Sequence, residues 1–174
     1  MAWLFSKRST GPDGAKLYAA IVAETRRKDY YLAAGVPDSI DGRFALLSTL
    51  LALTDIRLGR GGEAARSVAP RMTERFIADM DVQMREAGFG DPGLGKQVRM
   101  MVGSLASRVE RWQTVIGASE AGGGGAWDAA VVPSLYRDSP PDAAAIAAGS
   151  ALLRDWWQRL GDAKDTDLAE GTIG

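Results

Sequence analysis

Apolar residues return along this chain at helical spacing and nowhere sustain the alternation of a strand, so the pattern predicts an all-α protein. Leu17, Tyr18, Ile21 and Val22 mark one face of a helix over residues 15–34, which Asp13 and Gly14 precede. Gly35 is placed to end it in a left-handed conformation, Pro37 bars its continuation, and Asp38 or Ser39 caps the helix that follows. This second helix, residues 40–58, carries Phe44, Leu46, Leu47, Leu50, Leu51, Leu53 and Leu58 around most of its surface. A helix apolar nearly all round belongs at the centre of the fold. After Gly59, Gly61 and Gly62 comes a third helix, residues 63–87, in which Pro70 predicts a kink or a division into a short and a longer helix. Asp91-Pro92 then opens a fourth, whose stripe runs through Leu94, Val98, Met101, Leu105, Val109, Trp112 and Ile116.

Glycines at 122–125 read as a linker, followed by a short helix over 127–136, a Pro140-Pro141 boundary and a helix over 142–160. The expected architecture is a single helical domain of about six helices around the central apolar one. Residues 1–13 are a flexible N-terminus, 14–119 the core, 120–160 a C-terminal helical extension packed on it, and 161–174 an acidic tail expected to be disordered.

Composition narrows the chemistry more than the fold. The 174 residues suit one domain, and 21 basic against 22 acidic side chains leave no overall field to draw the chain to nucleic acid. There is no cysteine and no histidine, which excludes disulfides, thiolate nucleophiles, Ser-His triads and the common zinc and haem ligands. The N-terminal apolar cluster is far shorter than a secretory signal, so a cytoplasmic location is expected. The apolar run over 44–53 is also well short of the about 20 residues that span a bilayer. Trp3, Leu4 and Phe5 followed by Lys7 and Arg8 read either as a frayed terminus or as a peripheral anchor on an anionic membrane surface.

Several clusters are candidates for function. Arg26, Arg27 and Lys28 complement the negative end of the first helix, and beside Tyr30 and Tyr31 the same cations make a recognition surface for an anionic or peptide partner. Arg43 is placed to pair with Asp38 or Asp41 across the turn. Asp79, Asp81 and Glu86 invite a divalent cation, but residues two apart on a helix diverge, and Arg85 is better placed as the partner of Asp81. Met72, Phe76, Met80 and Met84 form a stripe that serves either as core or as an adaptable apolar groove. Trp156 and Trp157 diverge by about 100°, so one indole is expected to be partly exposed.

Two of these blocks carry a family likeness. The segment GVPD followed by DGRF (Gly35, Val36, Pro37, Asp38, then Asp41 to Phe44) and the segment DMD…RE…G-x-GD from Asp79 to Asp91 resemble the ubiquinol–cytochrome c reductase (cytochrome bc1 complex) assembly chaperones of bacteria. The resemblance covers Leu17 to Arg108. It departs at Thr49-Leu50, where the family tends to a leucine-histidine pair, and at Leu105-Ala106-Ser107-Arg108, where only the arginine of an aromatic-Gly-Arg is kept. It implies a non-enzymatic chaperone without cofactor or metal, its chaperone-like core over 14–119 engaging cytochrome b or another respiratory-complex subunit. The expected partner-binding residues, from the resemblance together with the basic-aromatic cluster and the methionine stripe, are Arg26, Arg27, Tyr30, Tyr31, Gly35, Val36, Pro37, Asp38, Arg43, Phe44, Met80, Asp81 and Arg85. The alternatives are a divalent-metal-dependent helical enzyme built on Asp79, Asp81 and Glu86, and a structural subunit of a membrane-associated complex.

Overall fold

A computed structural model describes residues 14–174 apart from 87, 89, 90, 123, 124, 137 and 138. The described residues form eight α-helices, one π turn and no strand. The central element is α3 (Ile40–Arg60), as its all-round apolar surface requires. It packs against α1 (Ala15–Glu24), α4 (Glu63–Glu86), α5 (Asp91–Glu120), α7 (Ala143–Asp162) and the π turn Val132–Tyr136. Leu46, Leu50, Leu51, Leu53 and Leu58 are fully buried, each worth about 1.5–3 kcal/mol relative to exposure. The same helix buries Ser48, Thr49 and Thr54 without leaving their hydroxyls unpaired, because each donates to the carbonyl four residues earlier at 2.7–2.8 Å.

The first predicted helix is divided. Helix α1 stops at Glu24, the chain turns through residues 25–27 with Arg27 extended (ψ 126°), and a short helix α2 (Lys28–Leu32) follows. The cause is the buried Glu24. In an unbroken helix Tyr30, six residues on, would point about 240° away around the axis. The break returns it, so that the Tyr30 hydroxyl donates to Glu24 Oε1 at 3.2 Å and the Arg27 guanidinium reaches the same oxygen at 3.1 Å. Arg159 of α7 completes the cluster at 2.8 Å.

Gly35 adopts φ +66° after α2. The Ser39 hydroxyl, not the Asp38 carboxylate, caps α3 by accepting from Gly42 N–H at 3.1 Å. Position 42 admits only glycine, because a Cβ there would lie 2.0 Å from the Pro37 carbonyl oxygen. Pro70 does not divide the third helix: α4 runs through it for 24 residues. Its ring lies on the exposed face, where an unpaired carbonyl is tolerated.

The C-terminal region departs furthest from expectation. Helix α6 (Ala126–Val131) passes into the π turn, and α6 packs on α5 and α7. Trp127 and Trp112 pack with ring centroids 5.0 Å apart. The tail expected to be disordered is ordered: α7 extends to Asp162, and α8 (Asp165–Ala169) packs on α4 and α1 with Leu168 fully buried. The tail's acidity has a structural use, since Asp165 pairs with Arg57 at 2.9 Å and accepts the Gly62 N–H at 2.6 Å. Trp156 is buried and Trp157 half-buried under the Arg60 guanidinium, as adjacent helical positions require.

Candidate functional site

Where α2, the start of α3, the end of α4 and the first half of α5 meet, they leave a groove of about 1140 Å³. Its floor is Phe44, Leu47, Met80, Met84 and Met101. Its rim holds three large side chains of unusual exposure, Leu32 at 82%, Ile40 at 77% and Met100 at 59%. A monomer gains nothing by leaving such residues around one concavity, and contiguous apolar exposure of this kind marks a binding surface. The short α2 exists because of the break after Glu24, so the groove wall follows directly from that buried cluster.

The residues singled out in the sequence divide on this geometry. Arg26, Tyr31, Asp38, Arg43, Phe44 and Met80 line the groove, with Lys28, Asp79 and Met84. Tyr31 is half-buried and donates to the Thr25 carbonyl at 2.7 Å; burial raises its pKa. Arg43 pairs with Asp38 at 2.6 Å on the exposed side.

The remaining residues do not join them. Tyr30 is fully buried on Glu24, so its ring and hydroxyl belong to the core. Arg27 is held by Glu24, Asp29 and Asp155 at 3.1–3.5 Å. Val36 is buried, while Gly35 and Pro37 shape the turn. Asp81 and Arg85 pair with each other at 2.9 Å one turn apart and lie outside the groove. Of the methionine stripe, Met72 and Phe76 are fully buried core, and only Met80 and Met84 reach the groove.

Sequence reasoning missed Leu32, Ile40, Met100 and Met101. Leu32 and Ile40 lie on either side of the Gly-Val-Pro turn, and the doublet Met100-Met101 widens the α5 stripe beyond one face. Those are the signals that mark them. The acidic residues proposed for a metal do not converge. Asp79 Oδ2 accepts from the Tyr18 hydroxyl at 2.7 Å and from Gln83 at 3.1 Å, and Asp81 faces Arg85. Among the described residues no group of three or more acidic side chains is arranged to hold a metal ion. Desolvation and the bond to Asp79 push the Tyr18 pKa far up. Residues 1–13, with the anchor expected at Trp3, Leu4, Phe5, Lys7 and Arg8, lie outside the described residues. No described helix is long and apolar enough to cross a membrane.

Comparison with known proteins gives the groove its context. The model of the ubiquinol-cytochrome C chaperone family matches residues 32–173. The chain belongs to that family. The match begins at Leu32 on the groove rim and continues past the glycines at 122–125, so the C-terminal helices are part of the family domain. Arg26, Arg27, Tyr30 and Tyr31 lie before it. The crystal structure of the Cbp3 homolog from Brucella abortus is similar with a TM-score of 0.76 at 28% identity, covering 92% of this chain and 87% of that one. Comparison with curated proteins found no match.

Proposed function

We propose that this protein is a non-enzymatic assembly chaperone of the cytochrome bc1 complex, and that its groove holds an apolar segment of newly made cytochrome b before that subunit is incorporated. Family membership supports the chaperone role and its respiratory-complex partner. The observation that carries the choice of surface is the concentration of Leu32, Ile40 and Met100 around one concavity with methionines in its floor. Unbranched, polarizable side chains repack around differing apolar contours, which suits a transient grip on a membrane subunit. No step requires a cofactor or a metal. Cytochrome b, with its apolar helices, is the client chemistry that this lining fits best.

The test is site-specific photo-crosslinking in the native host. A photoreactive residue in place of Leu32, Ile40 or Met100 is expected to capture cytochrome b, whereas one in place of Arg66, exposed on α4 outside the groove, is not. Equal capture from all four positions, or none from the groove, overturns the assignment.

A further inference from the structure

Six charged side chains line the groove, and four of them are already engaged or offset. Arg43 is paired with Asp38. Asp79 accepts from Tyr18 and Gln83. Asp41 stands in the first turn of α3, where the positive end of the helix offsets a carboxylate. Arg26 and Lys28 differ: both are exposed at the α1–α2 corner, and neither side chain forms an ion pair or hydrogen bond with any described residue. Between them Arg27 turns away into the Glu24 cluster. The break in the helix thus sorts three consecutive cations, sending the middle one inward and leaving the outer two at the end of an apolar groove beside Leu32.

We propose, resting on the reading of the groove given above, that its occupant is an apolar helix bound in one polarity, with an acidic end seated at Arg26 and Lys28. A helix about 10 Å across occupies roughly 400 Å³ per turn. The groove's about 1140 Å³ takes more than one turn of such a helix, so the two ends of the occupant meet different surroundings. The free carbonyls and negative dipole at a helix C-terminus favour cations there, and a carboxylate in the last turn adds to the attraction. Among the described residues that line the groove, Arg26 and Lys28 are the only cations outside an ion pair. Apolar lining supplies grip, and the cation pair supplies direction, since charge at a rim governs orientation and encounter more than affinity.

The experiment uses the full-length protein and three fluorescent helical peptides of about twelve apolar residues, ending in two glutamates, two lysines or two glutamines. At low salt the Glu-ended peptide is expected to bind about tenfold more tightly than the Lys-ended one, the difference shrinking at about 0.5 M salt. Arg26→Glu/Lys28→Glu should invert the preference, and Arg26→Gln/Lys28→Gln should abolish it. Both positions are exposed, and unchanged helical circular dichroism confirms folding. Equal binding of all three peptides, lost in Leu32→Asp/Met100→Asp, overturns the polarity while the groove stands as the client site. Failure of every peptide together with unchanged cytochrome b crosslinking in Leu32→Asp/Met100→Asp overturns both. Phosphatidylglycerol vesicles that bind the wild type and not the Arg26→Glu/Lys28→Glu variant, with no discrimination among peptides, overturn the proposal in favour of a lipid headgroup.

Discussion

The Tyr136 hydroxyl donates to the Ala34 carbonyl at 2.6 Å, joining the π turn to the last residue before the left-handed Gly35. Residues 102 apart in sequence thereby hold the turn between α2 and α3 in place. Burial pushes the phenol up to about 12, so it stays a donor throughout the neutral range. Tyr136→Phe keeps the ring and leaves a buried carbonyl short of its donor, at about 1–3 kcal/mol. Chemical denaturation should show this loss with an unchanged m-value. A wild-type midpoint would mean that the bond does not hold the turn.

On the other side of the same turn, stability resides in Ser39 and not in Asp38. Ser39→Ala removes the α3 cap and should cost about 0.5–2 kcal/mol. Asp38→Ala removes only an exposed ion pair with Arg43, which is worth little. Gly35→Ala forces a Cβ into a left-handed residue and should cost about 1 kcal/mol. Midpoints in the order Asp38→Ala above Gly35→Ala and Ser39→Ala test the assignment, and the reverse order refutes it.

Asp55 of α3 is half-buried and its carboxylate has no hydrogen bond or ion pair with the described residues, so desolvation raises its pKa above the ordinary 3.8. A carboxyl whose folded pKa is raised weakens the fold wherever it is ionised in the native state. The penalty is complete above the folded pKa and is relieved as pH falls through it toward the unfolded value. Asp55→Asn should therefore melt higher than wild type at neutral pH, with the gap closing on acidification. Thermal melts of both proteins across that range are the measurement, and a gap of the opposite sign or constant with pH defeats it.

The helices were legible where one periodicity governed a long segment. The leucines of α3 announced a central helix, and Asp91-Pro92 marked the start of α5. What escaped notice depended on contacts remote in sequence. Nothing local to residues 15–34 shows that Glu24 will be buried against Arg159, 135 positions on, yet that contact breaks the helix and creates α2. The tail looked disordered because its composition is acidic and poor in apolar groups. Its order comes from Arg57 and the Gly62 N–H, which its aspartate finds only in the folded chain. For the site, periodicity flagged Met80 and Met84 but could not separate them from Met72 and Phe76 on the same stripe. Met72 and Phe76 are fully buried, while Met80 and Met84 line the groove.

Arg26 and Arg27 are adjacent and chemically identical, so reversing each in turn separates recognition from stability. Arg26 is exposed at the groove and its side chain bears no partner among the described residues, and Arg26→Glu should leave the melting temperature within a degree or so of wild type. Arg27 is ringed by Glu24, Asp29 and Asp155. A glutamate there turns three attractions into repulsions and leaves the buried Glu24 with Arg159 as its remaining cation. Exposed pairs contribute only about 0.2–1 kcal/mol each, while weakening the compensation of a buried carboxylate costs more, so Arg27→Glu should lose about 1–3 kcal/mol. The α1–α2 break should loosen with it, and cytochrome b capture should fall in step with stability. Arg26→Glu should reduce capture with stability intact. Melting curves and crosslinking yields on the two single variants decide the matter, and equal melting temperatures would show that the buried cluster does not set the groove wall.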